Sequence, residues 1–179
     1  MNYIRVTENS KDFPLVQALK ERVFPPEEQL PLPLMMEKAH CHSANLWGFY
    51  EDERFCGFSY TVASEKMLFV LYLAVDNTLH SQGYGSRCLS LLDTIADGRT
   101  IALNVEIPHA DAPNNEQRLR RIAFYERNGF AVTPYHLNDG KTTFSVLAKG
   151  SFVPEDYRSL LVDFSDGLFT PSVFPAKSG

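Results

Sequence analysis

The stretch that decides the fold is MLFVLYLAVDNTLHSQGYGSRCLSLL, residues 67–92. Its first nine residues, 67–75, are all apolar and do not alternate with polar ones. A short apolar run of this kind, rich in aromatic and β-branched residues, indicates a strand that is covered on both faces. Gly83 and Gly85 then lead into a helical pattern. The sequence therefore predicts a central strand, a glycine-bearing turn and a helix, in that order.

The predicted turn has the features of an anion-binding site. Gly83 and Gly85 lack a Cβ, so the backbone can approach a ligand closely, and the first N–H groups of the next helix carry the positive end of its dipole. Such a turn most often holds a phosphate. A glycine-rich corner without a ligand is the alternative interpretation. The GxGxxG dinucleotide fingerprint does not fit, because no third glycine follows at the required spacing.

Composition and charge narrow the class of protein. With 179 residues, 44% hydrophobic and 22% charged, the chain is long enough for one domain with its own core. It shows no apolar run of membrane-spanning length and no signal-peptide pattern, so we expect a cytoplasmic protein without a membrane partner. The net charge of −5 argues against a nucleic-acid partner and suits small cationic substrates such as amines.

The cysteines and histidines do not indicate a metal site. Cys41, Cys56 and Cys88 lie far apart without a Cys-x-x-Cys pair, so we expect reduced thiols. The run His40-Cys41-His42 resembles a ligand cluster, but adjacent side chains point in different directions and no partner follows at metal spacing. We therefore expect no metal.

The remaining patterns predict seven strands and several helices. Ser10 is expected to cap a first helix with Leu15, Leu19 and Val23 on its apolar side. Residues 27–42, rich in Pro, Leu and Met, suit an irregular loop followed by a short helix. The strands are expected at residues 2–7, 46–50, 55–62, 67–75, 101–107, 130–137 and 142–148, and the later helices at 83–97, 116–128 and 154–164.

Two motifs resemble those of the GNAT superfamily, the acetyl-CoA-dependent N-acetyltransferases. The family signature Gln/Arg-x-x-Gly-x-Gly/Ala corresponds here to His80-Ser81-Gln82-Gly83-Tyr84-Gly85, with His80 in place of Gln or Arg. The run Ile122-Ala123-Phe124-Tyr125-Glu126-Arg127-Asn128-Gly129-Phe130 is similar to the Phe/Leu-Tyr-x-x-x-Gly-Phe ending of the family's last conserved helix. Together they cover residues 67–149 in the family's order of elements.

The resemblance implies the fold and the domain organisation. We expect the α/β (α+β) GNAT fold of a small, single-domain bacterial-type member, with a mixed, mainly antiparallel sheet of about seven strands and helices on both faces. Residues 1–150 would form the acetyltransferase domain. Residues 151–179 would add a C-terminal helical extension and tail packed on the same domain.

The resemblance also implies that acetyl-CoA binds as a co-substrate, without a metal. The backbone of Leu73, Ala74 and Val75 is expected to pair with the pantetheine arm. Arg121 is a candidate phosphate contact, and a solvated face is the alternative for it and for Arg120. The pyrophosphate is expected on the turn, whose residues are His80, Ser81, Gln82, Gly83, Tyr84, Gly85 and Ser86.

The family chemistry is direct attack of a primary amine on the thioester. By family position Tyr125 is the candidate acid, because a phenol of ordinary pKa about 10 can protonate a thiolate whose pKa is about 8.5. The attacking amine must lose a proton to a carboxylate. Glu106 is the candidate base, since strand alternation puts it with Asn104 on the less apolar face. His109 and Asp111 are weaker candidates, and Tyr125 as a packing residue is the alternative.

Two other functions stay open at this point. One is a non-catalytic acyl-CoA-binding module or sensor, and the other is an acetyltransferase that acts on a macromolecule. We expect a small-molecule amine acceptor, with a peptide or protein amine as the alternative, and a homodimer is compatible with the sequence. Residues 27–42 either wall the acceptor site, as this region commonly does in the family, or form a buried connector.

Overall fold

The computed structural model describes residues 1–41, 43–79 and 82–176. The expectations for His42, His80 and Ser81 lie outside these residues. The described strands are β1 (Asn2–Arg5), β2 (Ala44–Glu51), β3 (Arg54–Ala63), β4 (Met67–Val75), β5 (Thr100–Glu106), β6 (Ala131–Asn138), β7 (Thr143–Lys149) and β8 (Ser172–Pro175). The described α-helices are α1 (Phe13–Val23), α2 (Leu32–Cys41), α3 (Tyr84–Ala96), α4 (Asn115–Arg127) and α5 (Pro154–Phe164).

The eight strands form one sheet in the order β1-β2-β3-β4-β5-β7-β6-β8. The pairs β1/β2, β2/β3, β5/β7, β6/β7 and β6/β8 are antiparallel. This confirms the predicted α/β class and the mainly antiparallel sheet. The strand beyond the expected seven is β8, which pairs with β6 through His136 and Phe174. Pro175, its last residue, suits an edge strand, where one side needs no ladder hydrogen bonds.

The chain divides into two compact units. The first contains Met1–Ala63 and Val70–Asp97, and the second contains Ser64–Phe69 and Gly98–Gly179. Large buried side chains fill each unit, among them Phe49, Phe58 and Tyr60 in the first and Tyr157 and Leu147 in the second. The second unit holds α5 and β8 together with β5, β6 and β7. The division at residue 150 that the family resemblance implies stays a prediction.

In the first unit, β3 fixes the end of β4. A Cβ on Gly57 would overlap the carbonyl oxygen of Ala74, so the two backbones approach more closely than any side chain would permit. The Ser59 hydroxyl donates to the Tyr72 carbonyl at 2.8 Å, and the Asp76 N–H donates to the Cys56 carbonyl at 2.8 Å. These contacts with β3 therefore fix the position of the end of β4, from which the chain enters the glycine-bearing turn.

The expected start and apolar side of α1 are wrong. The helix begins at Phe13 with Asp12 as N-cap, while the Ser10 Oγ accepts from the Thr7 N–H at 2.9 Å in the preceding turn. Its buried residues are Val16, Leu19 and Lys20, whereas Leu15 and Val23 are 46% and 38% exposed. The predicted apolar stripe and the buried stripe have only Leu19 in common. The buried stripe includes Lys20, which a search for apolar residues does not select.

In the second unit, a buried tyrosine ties α5 to β5. The Tyr157 hydroxyl donates to Asn104 Oδ1 at 2.8 Å, and its ring meets Phe69 edge-on at 5.3 Å between centroids. Burial raises the pKa of Tyr157, so its phenol stays protonated and can donate this hydrogen bond to Asn104. Asn104 therefore has a structural partner, although the sequence places it beside the candidate base.

Candidate active site

The predicted strand, turn and helix are present in that order. After β4 ends at Val75, a short 3₁₀ turn covers Asn77–Leu79, and α3 begins at Tyr84. Gly83 is the N-cap with φ 79° and ψ 0°, a left-handed conformation that favours glycine. Gly85 lies in the first turn of the helix. The two glycines thus differ in role, because Gly83 makes the turn and Gly85 leaves the helix start without a side chain.

The beginning of α3 is open. An ideal Cβ on Gly83 would meet no atom within 4 Å, so the turn is glycine for its conformation and not for lack of space. No described side chain caps the helix, which leaves its first N–H groups available to a ligand. Tyr84, Gly85 and Ser86 are half-buried, and Gln82 is exposed. This arrangement fits an anionic group such as a pyrophosphate.

A hydrogen-bond network around Asp76 holds the turn in place. The Asp76 Oδ1 accepts from the N–H and the hydroxyl of Thr78 at 2.9 and 2.7 Å, and its Oδ2 accepts from Arg22 at 3.2 Å. The hydrogen bonds from Thr78, with the guanidinium of Arg22, lower the pKa of Asp76. Arg54 donates to Thr78 Oγ1 at 3.2 Å, and Gln82 donates to the Thr78 carbonyl at 3.0 Å.

The sequence reasoning passed over Asp76 and Thr78. The signal that identifies them is an Asp followed two residues later by a Thr at the end of a strand, which is the pattern of a side chain that bonds the backbone N–H two residues on.

The cation after the turn is already paired. The Arg87 guanidinium forms an ion pair with Glu51 and lies over the Tyr84 ring at 5.1 Å from its centroid. The hydrogen bond between the two side chains raises the pKa of Arg87 and lowers that of Glu51. Arg87 therefore orders Tyr84 rather than offering an unpaired charge.

Leu73, Ala74 and Val75 form the last three residues of β4. Ala74 is buried, and the side chains on either side of it are half-buried. Their backbone pairing with a pantetheine arm stays a prediction.

Glu106 is held at the end of β5 by two donors from α4 and the segment before it. Arg118 Nη2 lies 2.6 Å from its Oε1, and Asn114 Nδ2 donates to its Oε2 at 3.4 Å. Arg118 also donates to the Ile107 carbonyl at 2.8 Å and to Asn114 Oδ1 at 2.9 Å. The carboxylate is 26% exposed. Its orientation is fixed, and each oxygen keeps a lone pair for a further donor.

Tyr125 lies half-buried on α4 among aromatic rings. Its ring meets those of Phe124 and Phe130 edge-on, at 5.2 and 5.6 Å between centroids. Desolvation raises the pKa of Tyr125, and the nearby positive charge of Arg121 opposes this shift. The phenol is therefore a weaker acid than in water, and it stays protonated over the whole physiological pH range.

The other candidates of this unit differ in their contacts. Arg120 forms an ion pair with Glu116, as a solvated helix face would. Arg121 is exposed, and no carboxylate among the described residues pairs with it. His109 and Asp111 are exposed and lie 3.7 Å apart, Nδ1 to Oδ2. Arg118 and Asn114 were not singled out as functional by sequence reasoning. Their spacing of four residues across the start of a helix is the available signal.

Within the described ranges, no group of three or more His, Cys, Asp or Glu side chains could hold a metal ion. Cys41, Cys56 and Cys88 are all free thiols. No helix in the part of the chain that the structure describes is long and apolar enough to span a membrane.

The arrangement matches a known family. A family model described as an acetyltransferase (GNAT) domain matches residues 42–132, just over half of the chain. A solved GNAT-family protein from Bacteroides thetaiotaomicron is 23% identical, with a TM-score of 0.75 over 94% of this chain and 99% of its own. No curated protein matches the sequence.

Two further solved structures share the fold with a ligand present. An aminoglycoside 6′-N-acetyltransferase in complex with coenzyme A is 16% identical, with a TM-score of 0.62, and the match covers 83% of this chain and 96% of that protein. A GNAT family acetyltransferase from Elizabethkingia anophelis with acetyl-CoA bound is 12% identical, with a TM-score of 0.60, over 84% and 97% of the two chains. At these identities the likeness shows the fold.

Proposed function

The chain belongs to the GNAT acetyltransferase family, and from that premise we propose that it transfers the acetyl group of acetyl-CoA to a primary amine by direct attack of the amine on the thioester. The observation that carries the proposal is the start of α3, where a left-handed, exposed Gly83 precedes a helix without a side-chain cap. An anion on these N–H groups gains hydrogen bonds and the favourable end of the helix dipole.

The coenzyme-binding residues are assigned to the first unit. The backbone of Gly83, Tyr84, Gly85 and Ser86 would hold the pyrophosphate, and that of Leu73, Ala74 and Val75 the pantetheine arm. Gln82 contributes to the shape of the turn through its hydrogen bond to Thr78. Two proteins of the same fold were solved with coenzyme A and with acetyl-CoA, which supports this choice of co-substrate.

The proton steps are assigned to the second unit. The amine nitrogen attacks the carbonyl carbon, the carbon–sulfur bond breaks, and the electron pair of that bond goes to sulfur. Tyr125 would donate its phenolic proton to the sulfur. Its raised pKa keeps it protonated at every working pH, although the transfer is less favourable than from an ordinary phenol.

Glu106 would take the proton that the amine must lose, directly or through a water. The hydrogen bonds from Arg118 and Asn114 keep its carboxylate in one orientation. Positioning of this kind lowers the entropic part of the barrier. Arg118 would thus be a positioning residue for Glu106 and would not itself touch the amine.

Calorimetric titration of acetyl-CoA into the wild-type protein and into Gly85→Val tests the coenzyme assignment. We expect saturable binding by the wild type and a large loss of affinity in the variant, because a side chain at the helix start would fill the space that the phosphate needs. Thr94→Val, at an exposed position later in the same helix, is the control, because it introduces valine away from the turn. Equal affinity of wild type and Gly85→Val would overturn the assignment of the turn.

A further inference from the structure

A pocket of about 400 Å³ lies in the first unit between α1 and the segment that follows it. The side chains of α1 that line one side are Phe13, Gln17, Lys20 and Glu21, and Gln29, Leu30 and Leu32 line the other. The volume falls within the range of small-molecule sites. No residue assigned to the coenzyme turn or to the proton steps lines this pocket.

The outer wall of the pocket is fixed by hydrogen bonds. The Tyr72 hydroxyl donates to the Glu28 carbonyl at 2.7 Å and accepts from the Leu30 N–H at 2.9 Å. The side-chain amide of Gln29 donates to the Phe24 carbonyl at 2.6 Å. These contacts anchor the segment to β4 and to the end of α1. The pocket is therefore preformed, and a ligand would not have to order its wall.

A buried ammonium group lines the pocket. Lys20 is only 5% exposed, and its Nζ donates to Gln29 Oε1 at 2.9 Å. An ammonium has three donors, and a neutral amide oxygen satisfies one of them without compensating the charge. Among the described residues, no carboxylate forms an ion pair with Lys20. Glu21, which also lines the pocket, is exposed and accepts from Gln17 at 2.9 Å. Desolvation by burial lowers the pKa of Lys20, and the charge of Glu21 opposes this shift.

From these contacts we infer that the pocket binds a small carboxylate with an apolar body. The carboxylate would accept from the two remaining donors of Lys20 and compensate its charge, which is the most favourable partner for a buried ammonium. The apolar body would lie against Phe13, Leu30 and Leu32, with Pro31 and Pro33 at the edge. This inference does not rest on acetyl transfer, because no residue of the pocket is assigned to coenzyme binding or to proton transfer. Residues 29–33 belong to segment 27–42, for which the sequence left a role in the acceptor site open.

A matched pair of probes tests the role of the charge. We would titrate 4-phenylbutyrate and the alcohol 4-phenylbutan-1-ol, which share one apolar body, into the full chain at pH 7. We expect the acid to bind about tenfold or more tightly than the alcohol, as a charge-assisted hydrogen bond predicts. In Lys20→Met the preference should disappear, whereas Lys11→Met, which removes an exposed lysine outside the pocket, should keep it.

A second variant protects the test against misfolding of Lys20→Met. Gln29→Glu would place a carboxylate beside the ammonium at almost unchanged side-chain volume. We expect it to melt at or above the wild-type temperature and to lose acid binding, because the site of the ligand carboxylate is then occupied. Equal affinities for acid and alcohol in the wild type, no binding of either probe, or unchanged acid binding by Gln29→Glu would overturn the inference.

Discussion

Single residues in this molecule show two ways of holding a reactive group. Glu106 is oriented by polar contacts, with Arg118 on one carboxylate oxygen and Asn114 on the other. Tyr125 is held by ring contacts with Phe124 and Phe130. The polar contacts fix the direction of the Glu106 carboxylate, whereas ring packing fixes the position of Tyr125 and desolvation raises the pKa of its phenol. The two groups should therefore respond differently to substitution.

The Tyr125→Phe change tests the proposed acid. Removal of the hydroxyl leaves the ring contacts in place, so we expect kcat to fall by about 10²-fold or more while the coenzyme dissociation constant stays within about twofold. Steady-state kinetics and calorimetry give the two values. Tyr3→Phe, on β1, is the control and should keep normal turnover. Normal turnover of Tyr125→Phe would make this tyrosine a packing residue.

The Glu106→Gln change tests the proposed base. The amide is nearly isosteric but cannot accept the proton of the amine, so we expect the acidic limb of the profile of kcat/KM against pH to flatten. Arg118→Met should reduce kcat and keep an acidic limb in the profile, because it loosens the orientation of a base that is still present. An unaltered profile in Glu106→Gln would direct attention to His109 and Asp111.

At the scale of elements, β4 and α3 on either side of the turn agree with the strand and the helix that the sequence predicts. The sequence predicts β4 with the same bounds as in the structure, because a run of nine apolar residues between polar ones shows where the strand begins and ends. It did not single out Asp76, which accepts from Thr78 and from Arg22 of α1, while Arg54 of β3 donates to Thr78. Only the fold brings these side chains to one turn.

The Asp76→Asn change tests how firmly this turn is held. The pKa of Asp76 is lowered in the folded protein, so its contribution to stability is fully present above its unfolded pKa and is lost as the pH falls through the folded value. At pH 7 we expect the free energy of unfolding to fall by about 1–2 kcal/mol, as for loss of hydrogen bonds to a charged group. The difference from wild type should shrink below pH 4, roughly the unfolded pKa.

Urea unfolding at several pH values measures this difference, with Glu53→Gln on the exposed β2–β3 turn as the control. A difference that is the same at low and neutral pH would contradict an origin in the ionised carboxylate.

The Gly83→Ala change separates backbone strain from lack of space. Because no atom lies within 4 Å of the added Cβ, the cost comes from the left-handed backbone alone, about 1–2 kcal/mol. Gly83→Asn should cost less, since asparagine adopts this conformation more readily. Thermal unfolding of the two variants checks the order. Equal stabilities of both variants and wild type would mean that the backbone can change its conformation freely here.

At the scale of the whole molecule, the mainly antiparallel sheet and the order of its elements were predictable, while its last strand was not. Ser172–Pro175 looks like a tail in the sequence because Pro171 precedes it and Pro175 ends it, yet it pairs with β6. The 51% exposure of Leu119 on α4 could not be predicted either. In both cases the exposure depends on which other element packs against the residue, and the local sequence pattern does not show this.

The same limit applies to the site. Gly83, Gly85 and Tyr125 could be selected from local motifs, because the family repeats them at fixed positions in its elements. Arg118, Asn114 and Lys20 could not be selected in this way. The first two act through their contacts with Glu106 on β5, and Lys20 through its contact with Gln29 in the pocket wall, nine residues further along the chain. Local patterns identify the elements that carry the functional residues. The contacts between elements identify how the side chains of these residues are oriented and paired.

The most direct test of acetyl transfer is amine-dependent thiol release from acetyl-CoA, measured with a panel that includes polyamines, amino acids and short peptides. We expect release that saturates with at least one primary amine and yields one N-acetylated product per thiol. Thiol release that is no faster with any amine than without one, in a protein that binds acetyl-CoA, would contradict acetyl transfer and leave a non-catalytic acyl-CoA-binding protein.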